Sequence, residues 1–237
     1  ICGTDMTLWN TLARARTASG DDIMLRQRGN IFEIRYNGIE LMSNLNHQSE
    51  DQLALRTMRR LDFRAKRVLI GGLGLGYSLR AALDLAAPET EVTVCEIIPE
   101  VVAWNRGPLA HLAQSPLDDP RSKIVIGDVR DHLAASEGRY DLILLDTDNG
   151  PDFVVRPGNE DLYQAQGIAV VARALTPGGL AAFWSATASD RFERTLAKYP
   201  WSWIREDIPL IPGRVDAMHH IYSCTLDAQL MGMKKAG

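Results

Sequence analysis

Residues 68–83 read VLIGGLGLGYSLRAAL: an apolar strand, a turn carrying Gly71, Gly72, Gly74 and Gly76, and a helix that starts near Tyr77. Glycines in such a turn let the backbone bend sharply, and they let a ligand come close to the helix N-terminus, where unpaired amides favour anionic or polar groups. A strand delivered into a helix in this way suits a βαβ unit of a parallel sheet, although glycines also serve ordinary strand-to-helix turns.

The sequence after Lys66 fits such a sheet. RVLIGG, EVTVCEI, KIVIGD, YDLILLD and GGLAAFW are short, nearly continuous apolar runs separated by helical stretches, as expected for parallel strands covered on both faces. Upstream, Asp22–Ser43 alternates apolar and polar residues around the turn dipeptides Gly29-Asn30 and Asn37-Gly38, which predicts a three-stranded antiparallel meander. A helix follows, with Leu53, Leu55, Met58 and Leu61 at helical spacing and Ser49 placed to cap its first turn. Near the end, SWIREDIPLI and HIYSCTL flank the turn-rich PGRVDAM and predict an antiparallel hairpin on the sheet edge. The expectation is an α/β chain: a meander over residues 1–48 and a doubly wound, mostly parallel, nucleoside-binding sheet domain over residues 49–237.

Composition narrows the function classes. Of 237 residues, 46% are hydrophobic and 24% charged, enough for a large core. A formal net charge of −4 offers no broad attraction to phosphate backbones or anionic lipid, so neither nucleic acid nor a membrane surface is expected as a partner. Cys2, Cys95 and Cys224 are scattered and odd in number, with no CxxC spacing, which suits a reducing, cytoplasmic setting. No stretch reaches the roughly 20 apolar residues that span a bilayer, and the N-terminus, polar at Thr4 and Asp5, lacks a signal-peptide pattern. The chain opens on Ile1, which leaves room for an upstream segment.

Three carboxylates stand at strand ends. Glu96 closes EVTVCE about twenty residues after the glycine turn, the place from which a carboxylate accepts hydrogen bonds from ribose hydroxyls; a solvent-facing strand end is the plain alternative. Asp128 closes KIVIGD and is suited either to an adenine amine or to a helix N-cap. With the glycines Gly72, Gly74 and Gly76, these two favour an adenosine site. Asp146 ends YDLILLD, where open parallel sheets place their ligand crevice, although a turn carboxylate bonded to a backbone amide would look the same. Asp148 and Asp152, in the following turn, are weaker candidates.

Taken in order, these segments resemble the class I methyltransferase fold that uses S-adenosylmethionine, and more closely its spermidine synthase branch, over about residues 50–185. VLIGGLGLGYSLRA is similar to VLxIGGGDGGxLRE, EIIPEVV to VEIDPEVV, GDVRDHL to GDARxFL, YDLILLDTDNGP to YDVIxxDSSDP, and DLYQAQGIAVVARALTPGG to LYxxxFYxxxxxxLxPGG. The resemblance implies a Rossmann-like sheet with an antiparallel C-terminal strand, an S-adenosylmethionine-type donor, and dimerisation through the meander. It also implies that Asp146 lies beside the reacting amine, where it would orient the nucleophile and accept its proton. Tyr163, at the LY position, is either a border of the acceptor pocket or a core tyrosine.

The chain departs from the pattern at Leu75, which replaces the GGGDGG aspartate that holds the amino end of the aminopropyl group. Losing that charge-assisted hydrogen bond costs roughly 1.5–3 kcal/mol. The second acid of DSSDP falls near Asn149, with Asp148 adjacent, and the N-terminal DExxYHE pattern has no counterpart in LMSNLNHQSEDQLALR, although Glu50 and Asp51 are acidic. The reading that follows is methyl transfer from S-adenosylmethionine to a small molecule, with aminopropyl transfer from decarboxylated S-adenosylmethionine to a polyamine next, and a nucleoside-binding module without turnover as a third. No metal is expected: LDTDN is similar to the DAD segment of magnesium-dependent O-methyltransferases, but GGLAAFWSATAS supplies no later carboxylate before Asp190. Trp201 and Trp203 should share one strand face in a core or interface, and His219 and His220 should face opposite sides.

Overall fold

The computed structural model describes residues 8–17, 19–147, 149–154, 156, 158–210 and 217–232. An N-terminal antiparallel sheet contains β1 (Asn10–Arg16), β2 (Asp22–Arg28), β3 (Ile31–Tyr36) and β4 (Ile39–Ser43) in sequence order. Helix α1 (Gln48–Met58) then leads to the main sheet, built from β5 (Arg67–Gly71), β6 (Glu91–Glu96), β7 (Ser122–Ile126), β8 (Tyr140–Leu145), β9 (Leu175–Ser185), β10 (Ser202–Pro209) and β11 (Met218–Thr225). Between and after them run α2 (Tyr77–Leu85), α3 (Pro99–Asn105), α4 (Val129–Ala134), α5 (Ala165–Ala174), α6 (Asp190–Ala197) and α7 (Ala228–Gly232).

The main sheet is ordered β10-β11-β9-β8-β5-β6-β7; strands β5 to β9 pair in parallel, and β11 runs antiparallel to both β9 and β10. The expected doubly wound α/β architecture and its C-terminal hairpin are therefore present, while the hairpin's connecting turn, PGRVDAM, falls largely outside the described residues. The meander has four strands rather than three. β1 escapes the sequence pattern because its inward residues, Ala13 and Ala15, are small, and most of the strand is exposed. The Asn37-Gly38 turn has positive φ at both residues, 47° and 80°, which suits the right-handed twist of a tight hairpin.

Helix α1 corrects the cap prediction. Its N-cap is His47 and makes no side-chain cap; Ser49 lies inside the first turn and its hydroxyl points to other partners. Its buried face is Ser49, Glu50, Leu53, Ala54 and Thr57, so a half-polar stripe turns inward.

Strand parity divides the core. Val68, Ile70, Leu142, Leu144, Leu180 and Ala182 face a cluster that also holds Ile23, Leu25 and Ile34 of the N-terminal sheet. Leu69, Ile143, Leu145, Ala181 and Phe183 face the opposite cluster under α5 and α6. Trp201 and Trp203 both pack on this second side, beside Tyr199 and Tyr222 respectively, Trp201 buried in the core and Trp203 half-buried against it. At the start of β8 the buried Asp141 accepts hydrogen bonds from the Lys66 and Arg67 amides, at 2.7 and 3.0 Å, and from the Thr176 hydroxyl at 2.8 Å. It thereby ties the entry of β5 to the start of β8.

Candidate active site

β6 lies on one side of β5 and β8 on the other, so the loops after these strands diverge and open a crevice at their carboxyl ends. Gly71 is level with Cys95 on one side and Leu145 on the other, which brings the glycine turn, Glu96 and Asp146 to the same height. Gly72 has φ 91°, and a Cβ on it would overlap the Asp146 carbonyl oxygen, so the turn and the β8 exit touch only because no side chain intervenes.

A single cavity is lined by Gly72, Gly74, Glu96, Asp128 and Asp146. Five of the residues singled out from sequence thus converge. Gly76 does not line the cavity: it is the left-handed N-cap of α2, and its α-carbon faces Asn105, Pro116 and Ala113. Tyr163 is likewise a core residue, wedged against Phe183 and edge-on to Phe192: the short helical turn Asn159–Tyr163 puts Asn159 on the cavity wall and Tyr163, at its other end, in the core. Asp148 lies outside the described residues. Asp152 pairs with Arg191 at 3.4 Å, and Leu75 is buried in the core away from the cavity.

Glu96 is buried and shapes the glycine turn, accepting the Leu73 amide at 2.9 Å and the Ile98 amide at 2.8 Å. Burial pushes its carboxyl above the usual range, against the pull of the backbone amides around it. Asn105 braces the same turn by donating to the Gly74 carbonyl at 2.8 Å. Asp128 does cap α4, accepting the Arg130 amide, and it pairs with Arg130 at 2.8 Å and Arg156 at 3.6 Å. Burial alone would raise its pKa, but hydrogen bonding and charge from Arg130 outweigh burial and hold it below the ordinary value.

Asp146 accepts a hydrogen bond from the Ser78 hydroxyl at 2.7 Å, and burial raises its pKa despite that bond. A second carboxylate, Glu50 of α1, lines the same cavity. Its own burial and then the charge of Asp146 push its pKa up. Each carboxyl therefore holds a proton more tightly than a free side chain would.

The N-terminal sheet roofs the cavity with Ile34, Tyr36, Leu41 and Met42, and Met42 lies directly over Gly74. Trp184 of β9 closes one wall. Two polar atoms on lining residues, the Trp184 indole nitrogen and the Thr147 hydroxyl, are buried without a hydrogen-bond partner among the described residues. Orphaned donors at a cavity wall fit a polar ligand better than an apolar one. Sequence reasoning missed Glu50, whose signal was a carboxylate on the inward face of an amphipathic helix, and missed the roof, which strand alternation through Ile34 and Tyr36 could have pointed to.

A model of the spermine/spermidine synthase domain family matches residues 52–190. A polyamine aminopropyltransferase of Korarchaeum cryptofilum is 31% identical over 115 residues, covering 48% of this chain and 34% of the relative. One of Ruegeria is 36% identical over 116 residues, covering 49% and 39%. The matched stretch is thus well under half the length of these curated relatives. The fold is similar to spermidine synthase from Thermotoga maritima, with TM-score 0.74 at 16% identity over 94% of this chain and 75% of that one. It is also similar to a spermidine synthase solved with the transition state analogue AdoDATO, with TM-score 0.79 at 17% identity over 95% and 83%. With the family's match running from α1 through the glycine turn and past β9, the chain belongs to the spermine/spermidine synthase domain family.

Proposed function

We propose that this protein transfers an aminopropyl group from decarboxylated S-adenosylmethionine to a small aliphatic amine. The observation that carries the reading is the position of Asp146: a half-buried carboxylate of raised basicity, steadied by Ser78, in the same cavity as the glycine turn, Glu96 and Asp128, in a chain of this family.

The donor supplies a sulfonium whose neighbouring methylene carbon is electrophilic. Gly72 and Gly74 let the backbone approach the ligand, Glu96 is placed for the ribose, and Asp128, oriented by Arg130, for the adenine amine. Asp146 orients the amine and takes the proton it loses, so that the nitrogen lone pair forms the new N–C bond as the C–S pair withdraws to sulfur. The products are the extended amine, methylthioadenosine and one proton. The cavity's carboxylates favour a cationic acceptor, and its apolar roof favours an aliphatic one.

Methyl transfer from S-adenosylmethionine is the second reading, and Leu75 is the observation that favours it, since no carboxylate stands at that point of the turn to hold the amino end of an aminopropyl group. The family match and the aminopropyltransferase relatives weigh more. Incubation with each donor and a panel of primary amines tests the choice: methylthioadenosine formed from the decarboxylated donor is expected, and S-adenosylhomocysteine formed from the other donor would reverse it.

A further inference from the structure

We propose that Glu50, Ser49 and His219 form a proton outlet for the acceptor amine, so that the proton lost in each turnover leaves the cavity through this line of side chains. The proposal rests on the transfer reading given above. An amine arrives as an ammonium and the product stays protonated at its new secondary nitrogen, so one proton is released each time the N–C bond forms and the C–S bond breaks. A half-enclosed carboxylate can take that proton once; repeated turnover needs a route out.

Glu50 and Asp146 open on the same cavity, and the charge of Asp146 adds to burial in raising the hold of Glu50 on a proton, so a proton released into the cavity comes to rest on Glu50. The Ser49 hydroxyl donates to Glu50 Oε2 at 2.6 Å and lies 2.8 Å from His219 Nδ1. Ser49 is buried, whereas His219, at the start of β11 and edge-on to Trp184, is partly exposed. With Glu50 protonated, its proton passes to Ser49 Oγ while the Ser49 proton passes to His219 Nδ1; the imidazolium then releases its Nε2 proton to solvent. Rotation of the hydroxyl and return of the imidazole tautomer reset the line, and no other reactant is consumed.

The titratable groups facing this line are Asp51 on α1, Tyr77 at the start of α2, Asp146 after β8, and His220 beside His219. Burial, and then His220, lower the proton affinity of His219, so it passes a proton on rather than storing it.

The test uses the full chain with decarboxylated S-adenosylmethionine and a reactive amine. Ser49→Ala and Glu50→Gln should bind methylthioadenosine with unchanged affinity, yet lose roughly 10- to 100-fold in kcat near pH 7. The loss should shrink as pH rises and the amine sheds its own proton to solvent; Ser49→Thr, which keeps the hydroxyl, should restore the rate, and the D2O effect on kcat should change in Ser49→Ala alone of the two serine variants. A Ser49→Ala enzyme matching the parent in rate, pH profile and D2O effect would overturn the outlet while leaving the transfer reading intact. A parent that binds methylthioadenosine but turns over with no amine would overturn both.

Discussion

Asp146 and Glu50 are held ionisable where water is scarce, and this has opposite consequences for chemistry and for stability. A carboxyl whose folded-state pKa lies above its unfolded value binds protons more tightly in the folded chain, so its contribution to stability falls as pH rises from the unfolded carboxylate range through the folded pKa. Both groups are shifted in that direction, by burial first. Glu50→Gln should therefore stabilise the protein at pH 8 by on the order of 1 kcal/mol, and thermal melting should show the gain vanishing toward pH 4. Asp146→Asn should lower turnover by about 100-fold or more while methylthioadenosine titration shows the nucleoside site intact; unchanged turnover would remove Asp146 from the mechanism. Gly72→Ala places a Cβ against the Asp146 carbonyl oxygen and forces a non-glycine residue to φ 91°. It should cost at least about 2 kcal/mol in denaturant unfolding and abolish measurable nucleoside binding. The positions of Glu96, Asp128 and Asp146 were legible in sequence because each ends a recognisable apolar strand. For Tyr163 the sequence leaves a pocket border and a core position open, because a motif position says nothing of which end of its turn faces the crevice.

The elements succeed through periodicity and fail where side chains are small or ambiguous. β5, β6 and β8 are unmistakable runs, and the glycine turn marks the start of α2 at Tyr77. β1 went unseen because alanine carries little hydrophobic signal, and Ser49 was read as a cap because a serine at a helix start usually is one. Within β8 the buried Asp141 is the element's one liability. Truncating it would strand two backbone amides and a hydroxyl, so Asp141→Ala should destabilise the fold by about 3 kcal/mol. It sits at the far end of β8 from Asp146, about 16 Å away along the strand, so nucleoside affinity measured under folding conditions should persist.

At the scale of the molecule, the N-terminal sheet and the main sheet share one apolar cluster, and the first roofs the crevice of the second. Met42 joins them over Gly74. Met42→Ala removes the thioether end from that roof, and with about 0.8 kcal/mol per buried methylene-sized group, calorimetry should show methylthioadenosine bound about 10-fold more weakly. Among the described residues no helix is long and apolar enough to cross a membrane.

What the chain's order of residues determined alone is local and periodic: apolar strands alternating with helices, a glycine turn that only a βα junction can use, and acids at strand ends, all of which follow from short-range sterics and the two repeat lengths of helix and strand. What only the tertiary structure decided is which distant segments meet. Glu50 became a site residue because α1 lays its half-polar face against the β8 exit, and His219 joined it because β11 inserts antiparallel between β9 and β10. The sequence marks Glu50 only as a carboxylate on the inward face of α1 and names neither partner, since the energy that selects these encounters is burial of the whole apolar surface and not any preference of the residues that end up touching.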